Sequence, residues 1–187
     1  MFIFTKKNVP LLRSNLFVYE KINGCEFFKI SEVYKIETIT SSLDIRKSLY
    51  GYWSLKNGLC HTDHFNCGQS SNIQHKWERR KNLTGVTLIT STDDYPPFMV
   101  VSHDNLITGM WADIFHDFQG IMNFKYVIKK APDGRWGTLG KNGQWNGIIG
   151  MFQDEKVDCA PVGYASTPER SHVMDFGLPF TFVSGTP

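Results

Sequence analysis

The sequence predicts an α/β domain that begins near residue 84. Two observations support this prediction. From Gly85 onward, short β-branched runs alternate with longer stretches in which apolar residues recur every three to four positions, which is the spacing of one helix face. Glycines and prolines separate these runs and mark turns between them. Strands that alternate with helices are typical of a sheet with mostly parallel pairing.

The first elements of this domain follow in order from residue 86. Residues 86–90 predict a β-branched strand, which ends before Pro96 and Pro97 because proline donates no backbone hydrogen bond. Residues 109–122 predict an amphipathic helix, and residues 126–128 predict the next strand. The apolar stripe of the helix is expected to contain Trp111, Ile114, Phe115, Phe118 and Ile121.

The last elements complete the alternation. Residues 145–156 predict a second helix with Ile148, Ile149 and Phe152 on its core face, and residues 157–160 predict a short buried strand. Ser166 or Thr167 begins a third helix. In such sheets, ligands bind in the loops that follow the carboxyl ends of the strands.

Residues 1–83 give a weaker pattern. Residues 27–30, 33–36 and 48–55 are candidate strands, whereas residues 60–74 are rich in Gly, Ser, Asn and His and predict a loop. This region therefore predicts a small, poorly defined amino-terminal part that precedes the α/β domain.

Charge is divided unevenly along the chain. Residues 1–83 contain 13 Lys and Arg against 7 Asp and Glu, whereas residues 84–187 contain 7 against 11. The division falls at the basic run 76–81, which we interpret as a solvated linker, with contact to nucleic acid or an anionic membrane as the alternative. No basic face interleaved with aromatic residues accompanies the run, so nucleic acid is not an expected partner.

The sequence contains few signals of the protein's cellular location. The sequence has no apolar run of transmembrane length, and its start lacks the features of a signal peptide. We expect either a cytosolic protein or a fragment whose true start is missing. Asn82 opens the tripeptide Asn-Leu-Thr, a candidate glycosylation site that favours an extracellular location. The four cysteines, Cys25, Cys60, Cys67 and Cys159, do not decide between these locations.

Two residues are candidates for binding a small anion. Arg170 follows Ser166 and Glu169, which match a capping box, and the first turn of such a helix offers free N–H groups beside the guanidinium. The alternative is a surface ion pair with Glu169 or Asp175. Trp136 lies between glycines in a loop that presents its ring, although a tryptophan in this position also suits loop packing.

The sequence from residue 85 to residue 187 resembles the first segment of the ligand-binding domain of ionotropic glutamate receptors, and is most similar to the arthropod chemosensory ionotropic receptors. The residues that carry the resemblance are 95–98, Gly109, Asp113, 123–124, 133–137, 145–147, Asp158, Thr167, Arg170, 173–176 and Pro179.

The resemblance implies a binding site in one lobe of a two-lobed clamshell similar to periplasmic amino-acid-binding proteins. Arg170 matches the arginine that binds the ligand carboxylate, and Trp136 matches the aromatic residue that covers the ligand. Gly163 matches a position whose carbonyl accepts from the ligand amino group. Ala165 matches a threonine that donates a backbone N–H and a hydroxyl to the carboxylate, so this hydroxyl is absent here.

The resemblance also implies a function and an organisation. Residues 84–187 would form the first lobe, and residues 1–83 a remnant of the amino-terminal extracellular region and a linker. The chain would be the extracellular part of a tetrameric cation channel in the cell membrane, assembled with co-receptor subunits. It would lack the pore and second lobe and would sense a small acid or polar odorant. No cofactor and no catalytic activity are implied.

Three other functions remain open from the residues. A soluble solute-binding protein would share the clamshell fold. An enzyme would need a base or nucleophile, and His172 near Arg170 has no Ser or Cys partner at suitable spacing. The segment from Cys60 to Cys67 also contains His61 and His64, which suit zinc, but a disulfide between the two cysteines is an equal alternative.

Overall fold

The computed structural model describes residues 3–5, 16–22, 26–40, 44–56, 58–60 and 76–177. Its elements, in chain order, are β1 (Ile3–Thr5), β2 (Leu16–Lys21), β3 (Phe27–Ile36), β4 (Asp44–Ser54), β5 (Gly58–Cys60), α1 (Lys76–Arg80), β6 (Thr87–Thr90), β7 (Val100–Val101), β8 (Ile107–Thr108), α2 (Met110–Met122), β9 (Lys125–Ile128), α3 (Gly147–Gln153), β10 (Cys159–Ala160), α4 (Pro168–Ser171) and β11 (Met174–Phe176).

The chain divides into two compact units. The larger unit contains Met1–Val9, Thr38–Ser42 and Leu83–Pro187, and the smaller contains Pro10–Glu37 and Leu43–Asn82. The assignment of 1–83 to a remnant of an amino-terminal region stays a prediction.

A five-stranded sheet forms the framework of the larger unit, in the order β11-β1-β10-β6-β9. The strands β10, β6 and β9 pair in parallel, as alternation of strands and helices predicts. β1 pairs antiparallel with both β10 and β11. The α/β prediction is therefore confirmed, but the expectation of mostly parallel pairing was wrong, because a strand from the start of the chain enters this sheet.

Asp158 joins two distant segments of the larger unit. Its side chain is 1% exposed. One carboxylate oxygen accepts from the N–H of Ile89 in β6 at 2.8 Å, and the other accepts from the N–H of Ile39 at 3.0 Å. A buried carboxylate is stable in a protein when donors satisfy its oxygens, so these two bonds account for an acidic residue inside the core.

α2 occupies 110–122, as predicted, but its apolar stripe is only partly covered. Trp111 and Phe115 are buried, whereas Phe118 and Ile121 are 42% and 62% exposed. The helix ends at Asn123, which adopts a left-handed conformation with φ of 57°. The helix thus contacts the core mainly through its first two turns, and the prediction that Phe118 and Ile121 face the core was wrong.

α3 is shorter than predicted, spanning Gly147–Gln153 rather than 145–156. The Asn146 side chain accepts a hydrogen bond from the Thr138 N–H at 2.6 Å. Gly147 has φ of 65°, which is outside the helical region, so the helix does not extend further towards the amino terminus. The helix is buried along its length and packs in a core of Ala131, Ile148, Ile149, Met151, Phe152, Val157, Ala160, Val162 and Met174.

The smaller unit is an antiparallel sheet in the order β2-β3-β4-β5. β3 runs without interruption through the two strands predicted at 27–30 and 33–36. A register shift between Ile30 and Ser31 marks a β-bulge against β4. β4 covers 44–54 and so includes nearly all of the predicted strand at 48–55.

The basic run 76–81 is not a solvated linker, contrary to the prediction. Residues 76–80 form α1, and Arg80 is 5% exposed. Arg80 pairs with the buried carboxylate of Glu32 at 2.6 Å, and Arg79 pairs with it at 3.2 Å. The guanidinium of Arg80 also lies 4.7 Å from the ring centre of Tyr34. A buried carboxylate requires such partners, and this partner lies 48 positions away in the sequence.

Two cysteines fall within the described residues. Cys60 is disulfide-bonded, so its sulfur is not available as a zinc thiolate. His61, His64, Cys67 and Cys25 also lie outside the described residues. Cys159 is a free, buried thiol, and burial raises its pKa to about 12. The described ranges contain no group of three or more potential metal ligands.

Candidate functional site

The loop that carries Trp136 is fixed by the start of α3. Asp133 accepts from the N–H of Gly147 at 3.1 Å. The carbonyls of Arg135 and Trp136 accept from the N–H groups of Ile148 at 2.9 Å and Ile149 at 3.2 Å. The loop therefore supplies acceptors to the first N–H groups of α3, which have no partner within the helix.

Glycine is required at two positions where loop and helix meet. A Cβ on Gly147 would lie 2.2 Å from the carbonyl oxygen of Arg135, and a Cβ on Gly137 would lie 2.6 Å from Cγ1 of Ile149. Both glycines also have positive φ. The close approach fixes the loop that carries Trp136 against the start of α3, which explains the glycine that follows Trp136 in the sequence.

Arg170 lies in α4, a single turn from Pro168 to Ser171. The cap is Thr167, whose hydroxyl accepts from the N–H of Arg170 at 3.3 Å. The predicted capping box of Ser166 and Glu169 is therefore wrong, because the helix begins one residue later than that box requires.

Two of the three backbone donors of α4 are hydrogen-bonded within the turn. Pro168 has none, the Arg170 N–H is bonded to Thr167, and the Ser171 N–H is bonded to the carbonyl of Thr167 at 3.0 Å. The nearby Glu169 backbone N–H, followed by the Thr167 hydroxyl, lowers the pKa of the exposed Glu169 carboxyl. The expectation of free N–H groups in this turn is therefore wrong for Arg170 and Ser171, which leaves the guanidinium as the main anion-binding group here.

The guanidinium of Arg170 is held by its own loop. Nη1 donates to the carbonyl of Ala165 at 3.0 Å, and the guanidinium carbon lies 5.1 Å from the ring centre of Tyr164. Within the described residues, neither Glu169 nor Asp175 forms a salt bridge with it. The predicted alternative of a surface ion pair is therefore not observed in this part of the chain.

Tyr164 connects Arg170 to Trp136. Its ring packs edge-on against the Trp136 indole with centroids 5.9 Å apart, and its hydroxyl donates to the Trp136 carbonyl. Burial raises the pKa of Tyr164, and the Arg170 charge opposes this shift only in part. The hydroxyl thus stays protonated as a donor at neutral pH, and both predicted residues contact the same ring.

Gly163 and Ala165 flank Tyr164 and are both exposed. A Cβ on Gly163 would lie 2.3 Å from Cζ2 of Trp111, so a side chain there has no room. Ala165 offers its carbonyl to Arg170 and has no hydroxyl. The structure therefore brings all four predicted ligand-binding residues to one surface, around Tyr164.

Three aromatic rings that we had not predicted as site residues extend this surface. The rings of Tyr95 and Phe98 stack on Trp111 with centroids 5.5 Å and 5.2 Å away. Tyr95 also contacts Trp136 edge-on at 5.9 Å. Trp111 was predicted to lie in the core and is buried, but it also forms the floor under Gly163. The sequence features that could have indicated these residues are the aromatic side chains at both ends of 95–98 and the large tryptophan at the start of α2.

The second half of the chain matches a known protein family. Residues 86–186 match the family model described as "Ligated ion channel L-glutamate- and glycine-binding site". This match covers more than half of the chain. The chain belongs to the ionotropic glutamate receptor superfamily. Its matched part is the ligand-binding segment of that superfamily, as predicted.

Individual relatives agree with this assignment. The chain is 29% identical over 150 residues to the human "Glutamate receptor ionotropic, kainate 1", covering 73% of this chain and 16% of that protein. It is 26% identical over 170 residues to "Ionotropic receptor 25a" of Drosophila melanogaster, covering 86% of this chain and 16% of that protein. The chain thus spans about a sixth of the length of these relatives.

Solved structures support the fold. Two ligand-binding domains of an ionotropic glutamate receptor from Mnemiopsis leidyi match with a TM-score of 0.50, one a mutant in complex with glycine and the other in complex with D-serine. Their identities are 25% and 26%, and each match covers 53% of this chain and 42% of the solved chain. The predicted clamshell-lobe fold is confirmed.

Two further predictions concern the location of the chain. Asn82 is exposed in the segment that leads to Leu83, so its side chain is accessible, and glycosylation stays a prediction. Among the described residues, no helix is both long enough and apolar enough to cross a membrane.

Proposed function

We propose that this chain is the extracellular ligand-binding part of a ligand-gated cation channel of the ionotropic receptor type, and that it senses a small carboxylic acid or polar odorant. The observation that carries the proposal is the Arg170 guanidinium. It is fixed against Tyr164 and Ala165, beside Trp136, with no salt bridge to a described carboxylate. A planar guanidinium in this position suits bidentate binding of a carboxylate.

The replacement at Ala165 favours a ligand other than glutamate. By the family resemblance, Ala165 stands where a threonine hydroxyl would donate to the ligand carboxylate. Loss of one donor to a charged acceptor costs about 1.5–3 kcal/mol, which is roughly ten- to a hundredfold in affinity. The guanidinium remains, so an acid is still the favoured ligand, but one bound less tightly than glutamate is bound by sites that keep the threonine.

The proposal includes an assembly. The receptor would be a tetramer in the cell membrane, formed with co-receptor subunits, with Gly163, Ala165, Trp136 and Arg170 facing the ligand. Similarity to "Ionotropic receptor 25a" of Drosophila melanogaster supports a receptor of this type. A ligand would be enclosed between this lobe and a second one, so these 187 residues alone would bind it weakly.

Electrophysiology on the full receptor tests the proposal. Cells that express the receptor with a co-receptor are exposed to a panel of short carboxylic acids and the corresponding alcohols. Arg170→Ala should abolish the acid-evoked current, whereas Lys141→Ala, which removes an exposed cation in another loop, should leave it unchanged. An acid response that survives Arg170→Ala contradicts the proposal. Tight binding of an acid to the 187 residues alone, measured by isothermal titration, contradicts the requirement for two lobes.

A further inference from the structure

We infer that Tyr95, Phe98 and Trp111 form a subsite for the apolar tail of the ligand, so that the site takes a monocarboxylate with an aryl or alkyl tail. This inference rests on the proposed acid-binding role of Arg170. It adds a second requirement to the ligand, because a carboxylate without a tail would leave the aromatic subsite empty.

The three rings form an open stack. Trp111 is 6% exposed and contacts both other rings, while Tyr95 and Phe98, whose centroids are 5.9 Å apart, remain 52% and 36% exposed. The planes of Tyr95 and Trp111 differ by only 6°, and those of Phe98 and Trp111 differ by 23°. Large exposed aromatic side chains in contact with one another are typical of binding surfaces.

Backbone geometry fixes the stack before any ligand binds. The Trp111 N–H donates to the carbonyl of Phe98 at 2.9 Å, and the Tyr95 N–H donates to the carbonyl of Met99 at 2.8 Å. A Cβ on Gly109 would lie 2.7 Å from the same Phe98 carbonyl, so the segment 95–98 lies directly on the start of α2. A preformed apolar surface binds a tail without first having to order its side chains.

The stack is continuous with the cationic end of the site. Tyr95 contacts Trp136, Trp136 contacts Tyr164, and Tyr164 lies under the Arg170 guanidinium. One surface therefore has a positive charge at one end and apolar rings at the other. A ligand with a carboxylate at one end and an aryl or alkyl group at the other is complementary to both.

Trp111 provides a second, independent observation. Its indole nitrogen is buried and has no hydrogen-bond partner within the described part of the chain. Its ring carbons Cζ2 and Cη2 lie 2.3 Å and 2.5 Å from the place that a Cβ on Gly163 would occupy, so the six-membered ring lies against exposed Gly163. A ligand that covers Gly163 would therefore lie directly over the Trp111 ring.

Nuclear magnetic resonance on the 187-residue chain tests the inference, because it measures weak binding and reports the fold of every variant. The ¹⁵N-labelled chain is titrated with 3-phenylpropanoate, with propanoate and with 3-phenylpropan-1-ol, while the indole signals of Trp111 and Trp136 are followed. We expect 3-phenylpropanoate to bind at least about tenfold more tightly than propanoate, because a phenyl group is removed from water. The Trp111 indole signal should shift in that titration.

Variants separate the two ends of the site. Tyr95→Ala should remove the higher affinity for 3-phenylpropanoate than for propanoate. If the alanine variant does not fold, Tyr95→Leu is used in its place. Phe118→Ala, which removes an exposed ring elsewhere on α2, should keep that advantage. Arg170→Gln should weaken both acids and leave the alcohol unchanged.

Three outcomes would contradict the tail subsite, the acid-binding proposal or both. Equal affinity for the two acids overturns the tail subsite and leaves the acid-binding proposal intact. Unchanged binding of both acids to Arg170→Gln overturns the acid-binding proposal and, with it, this inference. No shift of either indole signal with any probe overturns the inference as well, because both ends of the surface lie in this chain.

Discussion

Gly163 lies directly against the indole ring of Trp111, with no space between them for a side chain. A Cβ at position 163 would be 2.3 Å from Cζ2 and 2.5 Å from Cη2 of that ring. Since Trp111 is buried and packs against both Tyr95 and Phe98, it cannot move aside without disturbing them. The exposed backbone at residue 163 is therefore bounded by an aromatic floor.

Gly163→Ala should lower the free energy of unfolding by about 1–3 kcal/mol, because the added methyl group overpacks the contact with Trp111. Urea denaturation followed by tryptophan fluorescence measures the change. Gly120→Ala is the matched control, since a Cβ there meets nothing within 4 Å. Because Gly120 lies inside α2, that variant should be stabilised by up to about 1 kcal/mol. Equal effects of the two substitutions would argue against the contact.

Tyr164→Phe should loosen the loop that carries Trp136. The variant loses the hydroxyl that donates to the Trp136 carbonyl, at an expected cost of about 1 kcal/mol in unfolding free energy. The amide of Ile149, which donates to the same carbonyl, should exchange with deuterium faster. Tyr126→Phe removes an exposed hydroxyl that bonds to His116 and should change stability by no more than about 0.5 kcal/mol. Unaltered exchange at Ile149 would exclude this role for Tyr164.

Asp158→Asn should destabilise the larger unit by about 1–3 kcal/mol. The amide keeps one acceptor oxygen but presents an NH₂ group to either the Ile39 or the Ile89 N–H, which leaves that donor unpaired. Chemical denaturation measures the loss. Asp154→Asn, which alters an exposed pair with Lys156, should change stability by no more than about 1 kcal/mol. A loss no larger than that of the control would refute this function of Asp158.

Alkaline pH should destabilise the fold through Cys159. Burial raises the pKa of this thiol from 9.0 to about 12, so the folded state retains a proton that the unfolded state releases. Its contribution is complete below pH 9.0 and is lost as the pH rises from 9.0 towards 12. The decline in unfolding free energy over this range should be shallower for Cys159→Ala, by up to about 1.4 kcal/mol per pH unit. Parallel pH curves for the two proteins would disprove the linkage.

Local patterns predicted the elements whose residues are close in sequence. The strand at 86–90, the helix at 109–122 and the strand at 126–128 each have a periodicity that a single element satisfies. α4 was placed correctly, but its cap was assigned to Ser166 rather than Thr167, because a side chain at either position could cap the same turn. The smaller unit was predicted less well, because the residues of β3 alone do not show that this strand pairs with β4.

Features that join distant residues were missed. The pairing of Glu32 with Arg80 spans 48 positions, and the bond from Ile39 to Asp158 spans 119. Neither has a sequence pattern, and the basic run consequently resembled an exposed linker. Arg170 and Trp136 were candidates from their own sequence context, and the family resemblance gave them ligand-binding roles and added Gly163 and Ala165. The role of Tyr164 between Arg170 and Trp136 depends on packing that the resemblance did not provide.

The way the chain threads through its two units limits how either can be isolated. It passes from one to the other after residues 9, 37, 42 and 82, so neither unit is a continuous stretch of sequence. A protein trimmed to begin at residue 84 would lose β1, which pairs with both β10 and β11, and would leave one oxygen of Asp158 without its Ile39 donor. Cutting the gene at that point would therefore remove one strand of the sheet in the larger unit. A shortened protein would need β1 to be retained or replaced by another strand.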